Sequence, residues 1–150
     1  MPVEKTLAFY RQIGKHPIHI RKEVAGHVAN RLQAALWREA VHLVAEADVA
    51  DVDAAITYGP GPRWPIYGPH LTFHLAGGVG GMAHFMKHLL APMQSCWNDL
   101  GDPEMTPALQ RMIIDGVADE AAGRSIAELA AERDRCLIAV MDAVKSRRGE

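Results

Sequence analysis

The chain has 150 residues, 49% of them apolar and 23% charged, a length and balance that suit one domain with a buried core. A net charge of −2 sets up no field toward nucleic acid or anionic membrane, and no apolar run reaches the roughly 20 residues of a membrane span. Cys96 and Cys136 match no metal or redox spacing, and the charged N-terminus is no signal peptide. The expectation is a reduced, cytoplasmic protein with buried thiols.

Leu7, Tyr10 and Ile13 predict a short amphipathic helix that stops at Gly14, a plausible C′ residue. This linker helix is expected over 1–15. His16–Ile20 is the one extended stretch, expected over 17–20 and too short to imply a sheet. A helical core is expected over 24–147. It opens on Ala25–Ala47, where Val28, Leu32, Ala35, Leu36 and Leu43 form a stripe that Trp37, Val41 and Val44 widen. A stripe that wide predicts a mostly enclosed helix. Its first turns nonetheless carry Asn30, Arg31 and Gln33.

Asp48–Thr57 reads as a short helix with acids at its positive end. Tyr58–Pro69 then has three glycines and four prolines in twelve residues and cannot be regular helix. Helical pieces follow at His70–Ala76 and Met82–Leu90, and Pro92 opens another. Thr106-Pro107 is an N-cap followed by proline at the first helical position, with Leu109, Ile113 and Val117 as the stripe behind it. Ser125 and Glu128 form a capping box, opening a long helix with Ile126, Leu129, Arg133, Leu137, Val140 and Val144 along its seam. Lys145, Arg147 and Arg148 read as a frayed, solvated end. The fold class is all-α, with about seven helices and no internal repeat.

Three patterns look like chemistry and are better explained otherwise. The pairs His70/His74 and His84/His88 have the i, i+4 spacing of metal ligands. No acid lies between Asp53 and Asp99 to complete a hydrolytic zinc site, so no metal is expected. Gly78-Val-Gly80-Gly-Met-Ala83 satisfies G-x-G-x-x-A, but a dinucleotide fingerprint needs a preceding strand, and "HLTFHLA" reads as helix. Those glycines suit a tight turn. Glu39 and His42, at i, i+3, read as a surface pair.

Arg63, Trp64 and Tyr67 are different: the Gly/Pro loop presents a guanidinium and two rings, fit for lining a pocket for an anion or a cation. A rigid loop whose aromatics cap the core is the even alternative.

The stretch "RKEVAGHVANRLQAALWREAVHLV" resembles the 3-hydroxyacyl-CoA dehydrogenase family, whose C-terminal domain has Lys/Glu-x-x-Gly-Phe-x-x-Asn-Arg opening a long helix. Glu23, Gly26, Asn30 and Arg31 match, while His27 stands where the family has phenylalanine. "GPGPRWPIYGP" is similar to the G-P-G-x-R-W-x-x-x-G-P loop of the L-carnitine dehydrogenase and lambda-crystallin (L-gulonate 3-dehydrogenase) branch. The carnitine dehydrogenase type has aspartate where Asn30 stands, and its final helix is similar to "AAGRSIAELAAERDRCLIAVMDAV".

The resemblance implies a helical C-terminal domain of the 6-phosphogluconate-dehydrogenase-like type, lacking the Rossmann domain. Its first residues fall where the linker helix lies, so Met1 starts either an excised piece or a separately encoded domain. In such an enzyme the absent N-terminal domain binds NAD and supplies a His-Glu pair, and none of this cofactor is expected on the present chain. The resemblance further implies oxidation of a 3-hydroxy group to a ketone, with Asn30 as the catalytic polar group at the substrate oxygen. Arg63, Trp64 and Tyr67 would bind an acyl-CoA or carnitine-like substrate. The expected partners are a second copy of the chain in a homodimer, a Rossmann NAD-binding domain in cis or trans and a small 3-hydroxy substrate, without nucleic acid or membrane. The alternative is a non-catalytic helical dimer acting as a scaffold.

Overall fold

The computed structural model describes residues 2–148, and among these every regular element is helical. The helices are α1 (Val3–Gln12), α2 (Val28–Leu43), α3 (Val49–Tyr58), α4 (Pro69–Ala76), α5 (Gly81–His88), α6 (Leu90–Asp99), α7 (Pro107–Ala121) and α8 (Ile126–Arg148). Two short 3-10 helices, Gly61–Arg63 and Gly78–Gly80, interrupt the connections. The all-α class holds, with eight α-helices among the described residues. By contact, the chain divides into two compact units, Met1–Ala35 and Leu36–Glu150, and α2 contributes residues to both.

In the first unit the linker helix is α1; Met1 lies outside the described residues. Glu4 in its first turn and Arg11 in its last oppose the helix dipole. Gly14 ends it at φ +73°, with the Lys15 N–H reaching back to the Tyr10 carbonyl at 3.0 Å, the closure a left-handed glycine allows. His16–Ile20 forms no strand. An isolated extended segment has no neighbour to pair its N–H and C=O groups.

In the second unit the core has two foci. Val41, Val49 and Val52 are buried. α7 closes on them through Gly116, where an added Cβ would run into Val49. The other focus is the α4–α5 hairpin, in which buried Phe85 lies 5.0 Å, ring to ring, from Phe73. Its turn is made by Gly77–Gly81, with Gly78 at φ +59° and Gly81 at φ +56°. The G-x-G-x-x-A run is therefore a glycine turn between two helices, followed by α5 and not preceded by a strand.

The caps act as their spacing predicts. Thr106 Oγ1 accepts the Leu109 N–H at 3.2 Å. Ser125 Oγ accepts the Glu128 N–H at 3.2 Å, and Glu128 Oε2 accepts the Ser125 N–H at 2.8 Å.

Three expectations are corrected. The opening helix is not enclosed: only Val41 of α2 is buried, while Leu32 is 59% and Trp37 58% exposed. Hydrophobic periodicity marks the face that needs cover, and this chain alone does not supply it. Both cysteines are exposed and free, because α6 and α8 present them on surfaces the chain leaves open. Arg148 is not frayed: its Nη2 donates to the Ile66 carbonyl at 2.6 Å, tying the end of α8 to the Gly/Pro loop.

Candidate functional site

The Gly/Pro loop folds back on the end of α3. Gly59 and Gly61 make this possible, since a Cβ at 59 would strike the Ala55 carbonyl and one at 61 would lie 2.6 Å from the Ile56 carbonyl oxygen. Pro62 pre-sets the 3-10 turn, and the Arg63 carbonyl then accepts the Ile66 N–H at 3.0 Å and the Tyr67 N–H at 2.9 Å. This geometry returns Arg63 toward α3, where its Nη1 donates to the Gly59 carbonyl at 2.9 Å. A cation is favoured there by the negative end of the α3 dipole.

Between this loop and α4 lies an open cavity of about 870 Å³. Arg63 and Tyr67 line it together, with Tyr58, Phe73, Ile66 and Thr72. Thr72 is itself oriented by donating its hydroxyl to the Gly68 carbonyl at 3.1 Å. Arg63 is the one charged residue among the walls, so the cavity has a positive end and an aromatic remainder. Trp64 sits beside Arg63 in sequence but is not among those walls.

Asn30 belongs to the other unit. It stands on the first turn of α2 and is exposed, as are Arg31 and Gln33. The helix begins abruptly: Gly26 has φ +78° and His27 φ +59°, and the His27 carbonyl accepts the Arg31 N–H at 3.0 Å. A left-handed pair of residues turns the chain into the helix over a very short distance, leaving the Asn30 side chain at an open helix start.

Tyr58 and Phe73 were not singled out from the sequence as walls of this pocket. The signal for Tyr58 was its place just before the first loop glycine, as the last residue of a helix the loop must fold against. Phe73 had no signal beyond the apolar stripe of α4, and its role follows from the ring contact with Phe85.

The histidine pairs have other roles. His74 Nδ1 accepts the Met82 N–H at 3.1 Å, bracing the glycine turn. His84 and His88 lie ring to ring at 4.4 Å. Among the described residues no group of three or more His, Cys, Asp or Glu side chains could hold a metal ion. Among the described residues no helix is long and apolar enough to cross a membrane.

Residues 26–129 match the family model described as 3-hydroxyacyl-CoA dehydrogenase, C-terminal domain. The chain is 52% identical over 143 residues to an L-carnitine dehydrogenase of Streptomyces griseus subsp. griseus, covering 94% of this chain and 43% of the relative. An L-carnitine dehydrogenase of Pseudomonas aeruginosa is 45% identical over 145 residues, covering 95% of this chain and 45% of that protein. One of Burkholderia mallei is 43% identical over 152 residues, covering 98% and 47%. The chain thus spans less than half the length of these curated relatives.

Proposed function

Because this chain belongs to the 3-hydroxyacyl-CoA dehydrogenase family through its C-terminal domain, we propose that it is the substrate-binding and dimerisation part of an NAD-dependent dehydrogenase. The reaction is oxidation of a 3-hydroxy group to a ketone: the carbinol carbon loses a hydride to the nicotinamide and the hydroxyl loses a proton to a base. The relatives' name makes L-carnitine the first substrate to try, ahead of an acyl-CoA. The observation that carries the reading is the family match over 26–129, a span that contains both the Asn30 helix start and the Arg63 loop.

The nucleotide belongs to another domain. Residues 78–83 are a glycine turn running into the start of α5, and the helix α4, not a strand, precedes them. What this chain supplies is orientation and polarity. The Asn30 amide N–H donates to the substrate oxygen as charge develops there, and a neutral amide does so without competing for the base's proton. Arg63, Trp64 and Tyr67, on the Gly/Pro loop, are the candidate substrate-binding residues.

Dimerisation is supported by the uncovered apolar residues along one side of α8, where Ile126 is 83% and Leu137 51% exposed. The free thiols of Cys96 and Cys136 suit a reducing compartment, which supports a cytoplasmic setting.

The test is reconstitution. The chain joined to, or mixed with, an NAD-binding half of this family should form NADH from L-carnitine, while these residues alone should not. NADH formation by the 150-residue chain alone would overturn the division of labour. Assembly without turnover of any 3-hydroxy substrate would favour the non-catalytic scaffold.

A further inference from the structure

We propose that Arg148 is a positioning residue for the Gly/Pro loop. From the last turn of α8 it fixes the Ile66–Tyr67 peptide, and through it the walls of the cavity that Arg63 and Tyr67 share. This rests on the dehydrogenase reading above and adds to it a residue outside the cavity on which substrate binding depends.

One peptide unit is held from two sides. Its carbonyl, on Ile66, accepts a hydrogen bond from Arg148 Nη2 at 2.6 Å. Its N–H, on Tyr67, donates to the Arg63 carbonyl at 2.9 Å. The two groups of a trans peptide share one plane and point to opposite sides, so the pair of bonds fixes how that plane is rotated. Rotating it would change ψ of Ile66 and φ of Tyr67, the angles that aim the Tyr67 ring. Arg63, Ile66 and Tyr67 are all walls of the cavity, and Arg148 is not. Its influence therefore passes through the backbone.

Apolar packing does not supply the same hold. Pro65 faces Val140, Met141 and Val144 of α8 across an open groove of about 310 Å³, and Ile66 and Tyr67 are half exposed. Contact that loose sets no direction, whereas a guanidinium donating to a carbonyl is directional and charge-assisted. Among the described residues Arg148 supplies the one side-chain hydrogen bond from α8 to the loop. Lys145 lines the same groove without such a bond. The hold also depends on the whole of α8, since 23 helical residues, about 35 Å, separate Arg148 from the Ser125–Glu128 cap.

The experiment uses the enzyme that includes the NAD-binding half and compares Arg148→Met, Arg148→Lys and Lys145→Met. Arg148 is exposed, so Arg148→Met should keep the thermal midpoint close to that of the unaltered protein. Amide exchange at Tyr67, followed by NMR, should quicken on the order of fivefold in Arg148→Met. KM for L-carnitine should rise on the order of fivefold with kcat little changed, because lost uniform binding appears in KM alone. Arg148→Lys keeps one donor and should recover part of both changes, and Lys145→Met should alter neither. Unchanged exchange at Tyr67 in Arg148→Met overturns the proposal, as does faster exchange with an unchanged KM. An equal effect of Lys145→Met also overturns it, since charge at the helix end would then suffice. If exchange quickens as expected but the unaltered enzyme oxidises no 3-hydroxy substrate, the dehydrogenase reading fails and the hold on the loop stands.

Discussion

Glu39, on α2, accepts the Gly101 N–H on its Oε2 at 2.8 Å, across 62 positions of chain. The same glycine packs against the His42 ring, where an added Cβ would collide. Arg38 lies 4.0 Å from Asp102, an exposed pair of little energetic weight. One face of α2 thus clamps the α6–α7 connection. Removing the carboxylate leaves a half-buried N–H unpaired, so Glu39→Ala should cost about 1.5–3 kcal/mol in urea unfolding. Glu39→Gln keeps an acceptor and should cost less. Gly101→Ala should destabilise through His42, and His42→Ala should relieve part of that loss in the double variant.

Thr106 fixes where α7 begins, and α7 carries Gly116 to Val49. Thr106→Ala should cost about 1 kcal/mol in equilibrium unfolding, and Thr106→Ser should restore most of it. An unchanged midpoint in Thr106→Ala would mean that Pro107 alone sets the helix start.

The start of α8 carries a pH dependence of known sign. The Glu128 carboxyl is held below its ordinary value, first by the Ser125 backbone N–H and then by the Ser125 hydroxyl, with Arg124 adding a smaller pull. A depressed folded-state value means the contribution is present above the unfolded value of 4.5 and fades as pH falls through the lower, folded one. Thermal midpoints of the unaltered chain and of Glu128→Gln should therefore differ at neutral pH and converge only as pH falls through the lowered, folded-state value. A gap that persisted in acid would refute the ionised capping box.

The sequence made the local devices readable because each depends on a few neighbouring residues. Gly14, Thr106-Pro107, Ser125–Glu128 and the glycine turn at 77–81 all behave as their spacing predicts. Burial was not readable in the same way. The stripe on α2 says which side chains avoid water, but not that Leu32 and Trp37 lack cover within the chain. Glu39 and His42 looked like a surface pair because their partner, Gly101, is distant in sequence and offers only a backbone N–H and an absent Cβ. Of the candidate site, Arg63 and Tyr67 share a cavity, as their loop suggested. Trp64 lines no part of it, since the 3-10 turn separates the directions of adjacent side chains.

The proposed dimer predicts a solution state that can be measured. The chain should sediment as a pair, and Leu137→Glu should shift it to a single-chain species without loss of helical circular dichroism. A single-chain species before substitution would remove the support for dimerisation.

Asn30 offers the sharpest test of catalysis. It is exposed at the open start of α2, just after the left-handed Gly26–His27 pair. If its amide donates to an oxygen that gains charge during hydride transfer, its contribution is larger in the transition state than in the bound substrate. Asn30→Ala, in the enzyme with its NAD-binding half, should then lower kcat by about 10²–10³ with little change in KM. Asn30→Asp tests the donor itself: an ionised carboxylate accepts but does not donate, so it should fail to restore the rate if donation is what matters. Full activity in Asn30→Asp would instead mean that the position works by accepting a hydrogen bond from the substrate's hydroxyl. A loss confined to KM in Asn30→Ala would reduce the residue to a binding contact.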